Sequence, residues 1–196
     1  GFKPFYTIRD TLRGALRPER TCFDVYFYDL TVKIDPEENT IFGYNTIYFR
    51  VLDTTNKIQI DLTEKLSVHS ILYKDIPLEY ERLYDAIFIH LPKQFLPGDT
   101  SKIKITYGGE PLVAVDPPWN GGFVWEKKKG KPWIGVACEH LGASTWWPNK
   151  DHLSDKPDSM TINVQVPSDL KAISNGNLIK SWGVDDNYIN YQWFVS

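Results

Sequence analysis

Polar and apolar positions alternate along most of this chain. Tyr28, Leu30, Val32 and Ile34 interleave with Asp29, Thr31 and Lys33, and a second, less regular set runs Ile41, Gly43, Asn45, Ile47, Phe49 and Val51. A period of two puts the two sets on opposite faces of a strand. The link 35–40, Asp-Pro-Glu-Glu-Asn-Thr, has the turn chemistry that joins such strands in a hairpin. Further strands are predicted at 57–62, 67–73, 86–91, 102–107, 123–125, 133–138, 160–166, 171–174 and 188–194. Pro-Gly-Asp at 97–99, Gly-Gly at 108–109, Asn-Gly at 175–176 and Asp-Asp-Asn at 185–187 punctuate them. Helical periodicity is confined to 11–16. Residues 1–20 read as an arm, and 21–196 as one all-β domain: a multi-stranded, mostly antiparallel sandwich or curled sheet. Residues 110–133, rich in Gly, Pro and Lys, read as a long surface loop or projecting hairpin, and 139–159 as a second irregular stretch. Loops held on a rigid β scaffold are where function concentrates.

Composition narrows the function classes. The chain has 196 residues, 42% of them hydrophobic and 14% aromatic, which excludes a disordered chain. The formal net charge is −3, and the densest basic cluster is only Lys127, Lys128, Lys129 and Lys131. Nucleic-acid binding needs a concentrated basic face, so that partner is not expected. No apolar run approaches the ~20 residues of a membrane-spanning helix. The chain opens Gly1-Phe2-Lys3-Pro4 and closes on the strand-like Tyr191-Gln192-Trp193-Phe194-Val195-Ser196, which predicts a piece of a longer protein. Cys22 and Cys138, the two cysteines, are too few for a disulfide framework and read as buried thiols.

Familiar catalytic arrangements are missing. The four histidines, His69, His90, His140 and His152, form no H-E-x-x-H pair, and a zinc site needs three or four convergent ligands. His90, in an apolar strand run, reads as structural, and His152 as a solvated loop residue. There is no G-x-S-x-G elbow, and Asn120-Gly121-Gly122 lacks the Lys and Ser/Thr of a phosphate loop. Trp119, Trp125, Trp133, Trp146 and Trp147 crowd one region. Exposed, they could stack on sugars; buried, they are core.

The most specific wording is Trp147-Pro148-Asn149-Lys150-Asp151, then Lys156, Val166-Pro167 and Ser174-Asn175-Gly176. Upstream come Tyr28-Asp29-Leu30, Ile41-Phe42-Gly43, Ile58-Gln59-Ile60-Asp61-Leu62, Leu91-Pro92 and Pro97-Gly98-Asp99. In this order the set resembles the N-terminal domain of the aminopeptidase N family, gluzincin metallopeptidases that include the leukotriene-hydrolase branch. The Trp-Trp-Pro and Lys-Asp-His-Leu wording suggests a bacterial subgroup.

The resemblance implies a saddle-shaped β domain covering one side of a separate thermolysin-like catalytic domain. That domain would hold the zinc ligands and the general base, beyond Ser196, so zinc belongs to the parent protein and none is expected on this piece. The implied partners are that catalytic domain and the N-terminus of a peptide substrate. The family places a Glu or Gln twelve residues before the Asp of the aromatic-Pro-x-x-Asp motif, here Glu139 before Asp151. In relatives it helps hold the peptide's free α-amino group. Asp151 and Lys156 are expected to organise the loop. The chain departs from the family at Val136 and Ala137, where Thr-Gln is common, and at Ser144, Asn149 and His152-Leu153. The compartment stays open; a leaderless start and bacterial wording fit a periplasmic or secreted parent. Two other readings stand beside this one: a free-standing sandwich binding carbohydrate or protein through its Trp-rich loops, and a scaffold that keeps the fold with a degraded zinc motif.

Overall fold

The computed structural model describes residues 7–117, 119–139 and 141–196. Two short helices, α1 (Ile8–Gly14) and α2 (Pro18–Thr21), precede thirteen strands. These are β1 (Phe23–Asp35), β2 (Thr40–Val51), β3 (Thr55–Asp61), β4 (Ser67–Tyr73), β5 (Ile76–Pro77), β6 (Tyr80–Leu83), β7 (Ala86–Phe95), β8 (Thr100–Gly109), β9 (Gly122–Lys128), β10 (Lys131–Ala137), β11 (Ser159–Pro167), β12 (Asn177–Gly183) and β13 (Tyr188–Val195). An eight-stranded sheet has the order β12-β13-β11-β1-β2-β8-β4-β5, a three-stranded sheet the order β3-β7-β6, and β9 and β10 form a separate hairpin. Among the named strands of the described residues, β1 pairs with β11 in parallel and the other pairs are antiparallel.

The alternation in β1 and β2 sorts side chains as the pattern predicts. Tyr28, Leu30 and Val32 are buried, as are Ile41, Ile47, Phe49 and Val51. β1 and β2 approach closely at Gly43, where a Cβ would lie 2.1 Å from the Thr31 carbonyl oxygen. The turn between them is held by the Asp35 carboxylate, which accepts the Glu37 and Glu38 N–H groups.

Three layers result. Ile58, Ile60, Leu62, Ile87 and Ile89 of the three-stranded sheet and its flanks join one apolar cluster with β1, β2 and β8. Each fully buried aliphatic side chain of this kind is worth about 1.5–3 kcal/mol relative to exposure. The opposite face of the three-stranded sheet carries Gln59, Asp61, Ala86 and Phe88, paired across β3 and β7. There α1 packs Leu12 against Ala86 and Phe88. The β11-β13-β12 half of the large sheet is less covered. Ile189, Tyr191, Trp193 and Val195 are only partly buried, and every residue of β12 is exposed.

Two local expectations change, and a third, with two alternatives, is decided. The helix runs over Ile8–Gly14 rather than 11–16, because Thr7 and Asp10 form a capping box that starts it earlier. Residues 171–174 pair with no strand; they edge a groove, and the strand lies at β12 instead. The hairpin in the loop-like region is β9–β10, reaching Ala137. Cys22 is buried and Cys138 half-buried, and both are free.

Candidate functional site

The chain leaves β10 at Ala137 and enters a turn in which the Leu141 and Gly142 N–H groups both donate to the Cys138 carbonyl, at 3.2 and 2.9 Å. Glu139 lies in this turn and is exposed. A 3-10 turn over Ala143–Thr145 follows, then Trp146 and Trp147, then the Asp151 segment. His140 lies outside the described residues.

This irregular stretch is anchored on three sides. On the large sheet, the buried Asn45 amide donates to the Pro148 carbonyl at 2.8 Å. The Tyr28 hydroxyl accepts the Lys150 N–H at 3.1 Å, and Trp147 meets the Tyr28 ring edge-on at 5.0 Å. Burial pushes the Tyr28 hydroxyl far above its ordinary range, so it stays neutral and can serve this structural role. On the three-stranded sheet, Asp61 and Asn149 exchange backbone hydrogen bonds at 2.8 and 3.1 Å, and the Thr63 N–H donates to the Ser144 carbonyl at 2.8 Å. Within the loop, the Lys150 ammonium is buried against the Asp155 carboxylate, the Phe23 carbonyl and the Phe23 ring.

Asp151 is the organiser that the sequence pointed to. Its Oδ2 accepts the Ser144 N–H at 3.1 Å and the Ser144 hydroxyl at 2.6 Å. Gly142 sits directly against it with φ 74° and ψ 175°; a Cβ there would lie 2.1 Å from Asp151 Oδ2. The Gly142 carbonyl accepts the Thr145 hydroxyl at 2.8 Å. Lys156, by contrast, is exposed, and it is Lys150 that is buried in the loop. His152 pairs its Nδ1 with the Ser154 hydroxyl at 2.7 Å, and His90 lies 3.3 Å from Glu81.

Behind the loop is a group of residues that carried no role in the sequence. The Arg20 guanidinium is wholly buried and lies 2.6 Å from Asp61 Oδ1. It also donates to the Arg13 carbonyl at 2.7 Å and the Asp151 carbonyl at 3.4 Å. Asp61 Oδ2 accepts the Asp151 N–H at 3.1 Å, and Oδ1 accepts the Gln59 amide at 2.9 Å. Burial raises the Asp61 carboxyl above the ordinary range, and Arg20 is the foremost group pulling it back. The one sequence signal was a charge inside the apolar run 58–62; nothing in the arm marked Arg20.

The tryptophans divide. Trp147 is buried and Trp125 stacks on Phe123 at 5.1 Å, whereas Trp119 and Trp133 are exposed. Lys128 covers the Trp133 ring at 3.9 Å. A groove of about 810 Å³ runs between the β10 side of the hairpin, the β11 face and residues 170–175. Among the described residues, no group of three or more His, Cys, Asp or Glu could hold a metal ion. Among them, too, no helix is long and apolar enough to cross a membrane.

Residues 26–195 match the family model described as the Peptidase M1 N-terminal domain. Among solved structures the chain is similar to an M1 zinc metallopeptidase from Deinococcus radiodurans, at 22% identity and a TM-score of 0.73, covering 88% of this chain and 38% of that one. It is equally similar to a mutant M1 zinc metallopeptidase from Deinococcus radiodurans bound to a Tyr-Ser-Ala substrate, at 22% identity and 0.73, with 88% and 39% covered. A two-domain M1 zinc metallopeptidase mutant bound to L-arginine gives the same values. The chain thus spans less than two-fifths of the length of these structures. A comparison with curated proteins finds no match.

Proposed function

The chain belongs to the Peptidase M1 N-terminal domain family, and from that membership we propose that it caps the substrate cleft of a zinc-dependent aminopeptidase. The observation that carries the proposal is the family match over nearly the whole β domain. In this reading 21–196 is the domain body and 1–20 an N-terminal arm. The zinc and the hydrolytic groups belong to a catalytic domain of the same protein. The half-covered apolar face beyond β11, with Ile173 and Leu178 exposed, supplies a surface for that domain to cover.

Glu139 is the residue we assign to the substrate. An exposed carboxylate alone discriminates little, because water screens it. Enclosed at the end of a cleft, it gives the ammonium of a peptide N-terminus a charge-assisted hydrogen bond worth about 1.5–3 kcal/mol. An internal peptide nitrogen carries no charge and gains nothing there, so the contact selects chain ends. Holding the N-terminus also sets which peptide bond faces the reacting groups. A sugar-binding reading draws on Trp119 and Trp133, but Lys128 already occupies one face of Trp133.

The test is activity with and without the downstream reading frame. An H-E-x-x-H motif is expected within roughly 150 residues after Ser196, with a further Glu beyond it. The protein carrying it should release N-terminal residues from amino-acid arylamides and lose that activity to a chelator. Chelator-resistant cleavage by this chain alone would overturn the assignment.

A further inference from the structure

We propose that Arg20 is a positioning residue for Glu139, acting through the Asp61 and Asp151 carboxylates; this rests on the reading of Glu139 as the ammonium-binding group. The contacts form a continuous relay. Arg20, in α2, ion-pairs with Asp61 on β3 at 2.6 Å. Asp61 accepts the Asp151 N–H at 3.1 Å, and Arg20 itself reaches the Asp151 carbonyl. The Asp151 side chain then accepts both Ser144 donors and fills the space beside Gly142. Gly142 closes the turn that carries Glu139, through its N–H to the Cys138 carbonyl at 2.9 Å.

The form of the network argues for positioning. A buried Arg–Asp pair is a poor way to gain stability, because desolvation offsets most of the attraction. What it provides is direction: Arg20 Nη1 donates to the Arg13 and Asp151 carbonyls, and the Asp61 and Asp151 carboxylates accept the Asp151 and Ser144 donors, fixing angles that apolar contacts leave free. The relay draws in the arm through the Arg13 and Leu12 carbonyls and β3 through Asp61, and it ends at the 138–145 turn. On the same segment Asn45, Tyr28 and Lys150 anchor residues 147–150, so Asp151 is the link between that fixed part and the Glu139 turn. A carboxylate that must meet an ammonium needs such support, since a misplacement of about 1 Å can cost on the order of 100-fold in rate.

The experiment uses the protein containing both this chain and its catalytic domain. Arg20→Lys, Asp151→Asn and Ser144→Ala are each made alone and combined with Glu139→Gln. Each protein is assayed for kcat/KM on a peptide with a free N-terminus. Amide exchange over residues 141–145 is followed in parallel. Ser144→Ala removes only a hydroxyl at the far end of the relay, so it remains informative if Arg20→Lys does not fold. The expected result is a loss of about 5- to 50-fold for each single variant, faster exchange at 141–145, and little further loss when Glu139 is already Gln. Losses of equal size in the Glu139 and Glu139→Gln backgrounds would overturn the proposal, as would unchanged kcat/KM in all three variants while Glu139→Gln is impaired. If Glu139→Gln itself leaves kcat/KM unchanged, the underlying reading of Glu139 falls, and the positioning role with it.

Discussion

Gly142 holds a backbone conformation, φ 74° and ψ 175°, that is nearly closed to residues with a Cβ, and its missing Cβ leaves the space taken by the Asp151 carboxylate. Gly142→Ala should therefore destabilise the domain by at least about 1–3 kcal/mol from strain alone, read as a lowered urea midpoint with an unchanged slope. An unchanged midpoint would mean the turn relaxes freely. Cys138, at the start of the same turn, reports on its packing. Burial raises the thiol's pKa, with the Trp146 indole the main group pulling it partway back. A raised pKa means less thiolate at any given pH, so alkylation by iodoacetamide should be slow at pH 8 and keep rising past pH 9, where an ordinary thiol levels off. A rate that levels below pH 9 would contradict the packing. At this scale Glu139 stands out in the sequence only through its spacing from Asp151 within an ordered set of motifs, and its role is the one proposed above. Arg20 was not legible at all, because its partners, Arg13, Asp61 and Asp151, meet only in the folded chain.

Among the elements, the strands with one buried face were readable because burial imposes the period-two pattern. β1 and β2 show it plainly. β12 is exposed along its whole length, so nothing in its sequence separates an inner from an outer face, and it went unseen. Residues 171–174 alternate without pairing. The irregular segment after the 3-10 turn has a single bridge to β3, at Asn149, and adds to it a buried ion pair, Lys150 against Asp155, each side chain 6% exposed. Asp155→Ala would leave the Lys150 ammonium buried beside only the Phe23 carbonyl and ring, and should cost about 3–5 kcal/mol in denaturant unfolding. Lys150→Met combined with Asp155→Leu should recover more than half of that loss. A double variant no better than the single would show that the pair is needed for more than charge balance.

For the whole molecule, the fold divides labour between two halves of one sheet. The β1-β2-β8-β4 half is sealed by the three-stranded sheet, whose far side carries α1 and the Arg20 relay. The β11-β13-β12 half remains partly open, with the hairpin and the Glu139 turn at its margin. The fold class was legible in the alternating pattern, and the family in the order of short motifs along the chain. What was not legible is the support behind Glu139, which depends on packing between segments distant in sequence. The most direct test compares a tripeptide bearing a free N-terminus with its N-acetylated form, in the protein that joins this chain to its catalytic domain. With Glu139 present, the free peptide should be strongly preferred in kcat/KM. Glu139→Gln should reduce that preference by about 10- to 100-fold, the rate equivalent of one charge-assisted hydrogen bond, and leave the slow hydrolysis of the acetylated peptide unchanged. A preference that survives the substitution intact would contradict the account.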